Sequence, residues 1–123
     1  MILVDTSVWI DHLRHGDRML ARELEEGNVV VHPFVIGEVA CGLLSTRDET
    51  LSLMQELPAA PVADHREALS FIERHALAGR GLGYIDVHLL ASVALGDRIT
   101  LWTRDRRLRD AATRLNLAYV ARS

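Results

Sequence analysis

Four acidic residues, Asp5, Glu38, Asp86 and Asp105, sit at the edges of elements or inside apolar runs, where a carboxylate is hardest to explain as solubilising charge. Asp5 follows Ile2-Leu3-Val4, and Glu38 interrupts Phe34-Val35-Ile36 and Val39-Ala40. Asp86 precedes Val87-His88-Leu89-Leu90, and Asp105 closely follows Ile99-Thr100-Leu101-Trp102. Two carboxylates about 4 Å apart repel by roughly 4 kcal/mol at an effective dielectric of about 20. A set of four must take up protons or hold a hard divalent cation, which lowers the pKa of a bound water and seats a phosphate oxygen.

Each acid also has a plain structural reading. Asp5 precedes a helical run and could cap it, although Thr6 and Ser7 offer the same service. Glu38 could form a buried ion pair with an arginine. Asp86 stands where a helix dipole favours negative charge, and Asp105 could belong to a surface network with Arg104, Arg106 and Arg107. Four independent structural reasons are less probable together than one shared function.

The elements that must position these acids alternate. Met1–Val4 reads as a buried strand running into a helix that begins near Thr6-Ser7. Asp17–Gly27 reads as a helix, Asn28–His32 as a β-branched strand, and Pro33 to about Leu44 as a helix. A helix over Arg47–Leu57 follows, then Pro58 and Pro61 bracket a loop, with Pro61-Val62-Ala63 as a short edge strand. The next helix opens at Asp64 or His65 and should bury Ala68, Leu69, Ile72 and Ala76. Gly79, Gly81 and Gly83 punctuate a turn before a strongly apolar helix, Tyr84–Leu95. Ile99–Trp102, Arg104–Leu115 and Leu117–Val120 complete the chain as strand, helix and strand. Strands joined by helical crossovers predict an α/β fold with three α/β/α layers around a mostly parallel sheet of four to five strands. Such sheets place ligands beyond the carboxyl ends of their strands, the edge that holds Asp5 and Asp105.

Composition narrows the alternatives. The chain has 123 residues, enough for one domain over positions 1–123, with 49% hydrophobic and 25% charged residues. Neither a signal peptide nor a membrane span is visible, so the cytoplasm is the expected compartment. Cys41 is the single cysteine and is expected to be a small core residue. The histidines at 12, 15, 32, 65, 75 and 88 are scattered, and only His12 and His15 share a helical face, which disfavours zinc. The net charge of −3 creates no overall field for nucleic acid, but all 14 basic residues are arginine and six of them lie between Arg98 and Arg114. Arginine forks match phosphate oxygens, although pairs such as Arg106 with Asp110 would serve a solvated helix equally well. Phosphatases and receiver domains that also open with a strand and an Asp rely on a lysine, which this chain lacks. The run Gly79-Arg80-Gly81-Leu82-Gly83 follows no strand, unlike a dinucleotide fingerprint.

Together these residues resemble the PIN domain and, within it, the VapC-type ribonuclease toxins of prokaryotic toxin–antitoxin pairs. The resemblance rests on the opening Ile2-Leu3-Val4-Asp5-Thr6-Ser7-Val8-Trp9-Ile10-Asp11 and on Val35-Ile36-Gly37-Glu38-Val39. Gly83-Tyr84-Ile85-Asp86 and Thr103-Arg104-Asp105 complete it. It implies that Asp5, Glu38, Asp86 and Asp105 are the catalytic quartet that binds Mg²⁺ or Mn²⁺, with Ser7 and Thr103 as supporting hydroxyls. It further implies hydrolysis of RNA phosphodiesters by water, leaving 5′-phosphate and 3′-hydroxyl ends. A homodimer held silent by a VapB-type antitoxin is the implied assembly. Arg80, Arg104 and Arg106, close in sequence to Asp86 and Asp105, are candidates to guide the RNA backbone. The competing expectation is a catalytically quiet PIN-like module whose acidic pocket docks a basic partner. Trp9, Leu13, Met19, Phe34 and Leu43 are candidates for an apolar docking groove, with core packing as their alternative role.

Overall fold

The computed structural model describes residues 1–121. Its elements are β1 (Ile2–Val4), α1 (Thr6–His15), α2 (Arg18–Glu25), β2 (Val29–Val30) and α3 (Pro33–Ala40), then α4 (Arg47–Glu56), α5 (His65–Arg74), α6 (Tyr84–Leu95), β3 (Thr100–Trp102) and α7 (Arg106–Arg114). β1 is central, and the strand order is β2-β1-β3 with both pairings parallel. Ile2 lies opposite Val29 and Thr100, Leu3 opposite Val30 and Leu101, and Val4 opposite Trp102. Successive strand side chains point to opposite faces, yet Ile2, Leu3 and Val4 are all buried. Both faces of the sheet are therefore covered, as the α/β/α layering requires.

The sheet is narrower than the four to five strands expected. Its two outer members are reduced to single bridges, Val31 with Ala59 beyond β2 and Leu101 with Ala118 beyond β3. The edge strand expected at Pro61-Val62-Ala63 does not form. Pairing occurs earlier, where the Val31 N–H donates to the Pro58 carbonyl (2.9 Å) and the Ala60 N–H to the Val31 carbonyl (2.8 Å). Proline has no N–H to prolong such a ladder at Pro61. The strand expected over Leu117–Val120 likewise shrinks to two bonds, Leu101 N–H to Leu117 O (2.7 Å) and Tyr119 N–H to Leu101 O (2.9 Å).

Three helix expectations also change. α3 ends at Ala40 rather than near Leu44, and the Arg47 Nε donates to the Ala40 carbonyl (2.9 Å), satisfying one of the orphan acceptors there. Cys41 and Leu43 follow the helix and are exposed, so Cys41 is not a core residue. In α5 the reciprocal bonds of Asp64 and Glu67 fix the first turn, which sends Ala68 and Phe71 inward. Leu69 lies about 100° around the helix from Ala68 and is exposed. Ala76 is exposed past the helix end at positive φ (52°), and Leu77 is buried in its place.

α6 is a core helix. Val87 to Val93 are seven consecutive buried residues, the mark of a helix surrounded by protein, and only its first turn and its last two residues, Ala94 and Leu95, reach the surface. The glycine turn ahead of it is tied to α7: Gly81 has φ of +78°, and a Cβ there would lie 2.7 Å from the Arg107 Cδ. The left-handed backbone favours glycine there, and the Arg107 side chain, from the start of α7, lies against the turn that precedes α6. Asp86 and Asp105 ride on those two helix starts.

Candidate active site

Asp5 closes β1, its N–H donating to the Trp102 carbonyl (2.9 Å), and only 8% of the residue is exposed. It occupies the N-cap position of α1, yet its side chain caps nothing. Instead one oxygen, Oδ2, accepts from both the Ser7 Oγ (2.8 Å) and the Thr103 Oγ1 (2.7 Å). The same hydroxyls bind the loop after β3: the Arg104 N–H donates to Ser7 Oγ (3.0 Å) and the Asp105 N–H to Thr103 Oγ1 (3.0 Å). Ser7 and Thr103 thus hold Asp5 and the backbone of Asp105 in one frame.

The other three acids each keep one oxygen on a nearby donor. Glu38 Oε1 accepts from the Thr6 hydroxyl (2.7 Å), which joins α3 to the start of α1 and replaces the arginine pair considered for it. Asp86 Oδ2 accepts from the Gly83 N–H (2.9 Å), and Asp105 Oδ1 accepts from the Leu108 N–H (3.0 Å) as the N-cap of α7. The second oxygen of each of the four carboxylates accepts no hydrogen bond among the described residues. Burial pushes the Asp86 carboxyl above its usual range, and the charges of Asp105, Asp5 and Glu38 push it the same way, against the Gly83 hydrogen bond. Asp86 therefore stands in the field of the other three acids. Among the described residues no three acidic, His or Cys side chains stand close enough to enclose an ion as they are placed. Closing such a cage requires the side chains to turn their second oxygens inward.

The three arginines considered for RNA differ. Arg104 is committed internally: its guanidinium bonds Asp11 (2.6 Å) and Asp17, and it lies 5.8 Å from the Trp102 ring centroid. Hydrogen bonding by Asp17 and Asp11 raises its pKa. Arg80 is exposed with Nε on the Ala76 carbonyl (3.1 Å), and Arg106 is exposed at the start of α7. The pair imagined between Arg106 and Asp110 is not among the three ion pairs of the described residues. Asp11 and Asp17 are the partners that reading the sequence missed for Arg104. Their signal was present, since Asp11 belongs to the opening motif and Asp17 caps α2 through the Leu20 N–H (2.9 Å). His12 accepts the Asp17 N–H (2.9 Å), a turn-building role. Trp9 is fully buried in the core, Leu13 and Met19 pack partly buried against it, and Phe34 and Leu43 face outward.

The sequence carries the same message as this geometry. The family model of the PIN domain matches residues 2–114. The chain belongs to the PIN domain family. This PIN domain is 48% identical over 118 residues to Ribonuclease VapC32 of Mycobacterium tuberculosis, as found in strain CDC 1551 / Oshkosh and in strain ATCC 25618 / H37Rv. The alignment covers 96% of this chain and 95% of the relative. The side-chain polar atoms of Asp5, Ser7, Glu38, Asp86, Thr103 and Asp105 are all oxygens, the chemistry that would suit a small hard cation and disfavour a soft one.

Proposed function

We propose that this PIN domain is a divalent-cation-dependent endoribonuclease that hydrolyses RNA phosphodiester bonds as the toxin of a toxin–antitoxin pair. The observation that carries the reading is Asp5. It is nearly buried, caps no helix, keeps one oxygen fixed by two hydroxyls and the other unbonded, and its charge, with those of Asp105 and Glu38, acts on Asp86. Asp5, Glu38, Asp86 and Asp105 would hold the cation, Mg²⁺ or in its place Mn²⁺. When bound, that cation supplies charge for the phosphoryl oxygens and acidifies water.

The chain's own residues supply position and polarity. Ser7 and Thr103 donate to Asp5 Oδ2, which fixes the carboxylate plane and leaves Oδ1 to the site. The N–H of Leu108 does the same for Asp105, and that of Gly83 for Asp86. The attacking group is water, so the RNA 2′-hydroxyl is not needed chemically and the products carry 5′-phosphate and 3′-hydroxyl ends. Arg80 and Arg106, exposed near this edge, would steer the RNA backbone. The protein acts as a single domain, works in the cytoplasm, and assembles as a homodimer silenced by a VapB-type antitoxin. No helix among the described residues is long and apolar enough to cross a membrane.

The test is cleavage by purified, antitoxin-free protein. RNA should be cut in Mg²⁺, and Asp5→Asn should abolish cutting while the circular dichroism spectrum is kept. Full activity in EDTA would contradict the cation requirement. No cleavage of any RNA by the wild type in Mg²⁺ or Mn²⁺ would favour the quiet binding module.

A further inference from the structure

Only two of the six Phe, Trp and Tyr residues are exposed, and they stand together. Trp9, Phe71 and Trp102 are buried and Tyr119 is partly so, whereas Phe34 is 37% and Tyr84 43% exposed. Both exposed rings meet one buried imidazole edge to face: Phe34 packs on His88 at 4.9 Å and Tyr84 packs on it at 4.5 Å between centroids. His65 bonds the Tyr84 hydroxyl through Nδ1 and so holds that ring in place. A pair of aromatic faces fixed this way, yet left half open to solvent, is unlike the scattered single apolar residues of an ordinary surface.

Their position links them to the acids. Phe34 lies four residues before Glu38 on α3, one helical turn along the same exposed face. Gly37 sits between them, and a Cβ placed there would meet nothing within 4 Å, so the surface from ring to carboxylate is open. Tyr84 begins α6, two residues ahead of Asp86. The rings therefore belong to the two helices, α3 and α6, that present Glu38 and Asp86.

We infer that Phe34 and Tyr84 form a stacking surface for an unpaired nucleobase of the RNA whose phosphate enters the carboxylate site. The inference rests on the ribonuclease reading above. Stacking uses the π face that every base carries, so it adds affinity and places the backbone while tolerating different bases. It also suits this rim, because a neutral aromatic face holds a base where the acids repel the strand. The imidazole beneath is a support rather than a ligand: His88 Nδ1 is buried and makes no hydrogen bond among the described residues.

The experiment uses the full chain and a short single-stranded RNA of mixed sequence. Binding is measured in Ca²⁺ by anisotropy and by 2-aminopurine quenching, and kcat and KM are measured in Mg²⁺. Leucine at both positions (Phe34→Leu with Tyr84→Leu) keeps the packing over His88 and removes the π faces. It should weaken binding roughly tenfold to a hundredfold, raise KM in step and leave kcat within about twofold. Tyr84→Phe, which keeps the π face and loses only the bond to His65, should bind more tightly than Tyr84→Leu. A sugar-phosphate strand lacking its bases should bind wild type and the leucine variant equally. Equal RNA affinity and equal quenching in wild type and the leucine variant would overturn the inference. So would a loss of affinity that is just as large on the baseless strand. Absence of cleavage by wild type in Mg²⁺ would instead reject the ribonuclease reading, and the Ca²⁺ binding data would still decide the stacking question.

Discussion

The two ends of the central sheet both gather charge, but in opposite ways. At the amino end a cavity of about 620 Å³ is lined by Arg22, Glu23, Glu26, Asn28, Arg98 and Tyr119, so both signs meet there. Glu23, 9% exposed, accepts from the Tyr119 hydroxyl (2.9 Å) and the Asn28 amide (3.1 Å). The carboxyl end gathers four acids of one sign, with hydroxyls and backbone N–H groups as donors in place of cations. A carboxylate held by neutral donors among charges of both signs supports a fold; like charge works against it. A cavity alone would point to the amino end. Sign, and oxygens left unbonded, point to the other.

Mutations should separate the ends. Apart from loss of an acid itself, the largest effect is expected at the carboxyl end from Thr103→Ala, which removes a donor to Asp5 Oδ2 and the acceptor for the Asp105 N–H. Cleavage should fall by roughly 10- to 100-fold, as when a residue that orients a metal ligand is lost. A change of less than about twofold in single-turnover assays would show that the frame around Asp5 is dispensable. Glu23→Gln at the amino end should do the reverse. It should lower stability by about 1–2 kcal/mol in urea denaturation while leaving cleavage unchanged. A loss of cleavage without a loss of stability there would erase the distinction.

Acid sensitivity sharpens the comparison further. His32 is fully buried, and burial, helped by the charge on His88, pushes its imidazole down to about 4. Its Nδ1 accepts the Phe34 N–H at the start of α3 (3.0 Å), an acceptor that protonation removes. The folded pKa lies below the unfolded value of 6.5, so this stability is present above pH 6.5 and is lost as pH falls toward 4. The loss has a ceiling of about 3 kcal/mol. His32→Asn, which can still cap the helix, should flatten the decline between those values in pH-dependent melting. Asp86 acts in the other direction, its raised pKa favouring the fold below 3.8 and costing stability as pH rises through the folded value. Asp86→Asn should therefore raise the melting temperature at pH 7 in EDTA by a few degrees.

Much of this was legible in the sequence because local rules and global fold agree. Strand β1, the crossover order and the rim position of Asp5 and Asp105 follow from a buried apolar triplet, β-branched runs and cap residues. The outer strands were not legible, since the pairing of Ala59 and Ala118 depends on which backbone groups face Val31 and Leu101 rather than on side-chain pattern. The inward face of α5 was misjudged for a related reason: Leu69 fits the helical period, but the Asp64–Glu67 cap sets the rotation that turns Ala68 and Phe71 inward. At the candidate site, residue types and their places in apolar runs singled out the acids. Their individual donors, the commitment of Arg104 to Asp11 and Asp17, and the meeting of Phe34 and Tyr84 on His88 required three-dimensional proximity.

The central claim is that Asp5, Glu38, Asp86 and Asp105 turn their unbonded oxygens onto one cation at the carboxyl edge of the sheet. Anomalous diffraction from crystals grown with Mn²⁺ tests it directly. The account predicts a Mn²⁺ peak within about 2.5 Å of oxygens from Asp5 and at least two of the other three acids. Manganese found only elsewhere, or bound equally well by the Asp5→Asn protein at the same position, would contradict it.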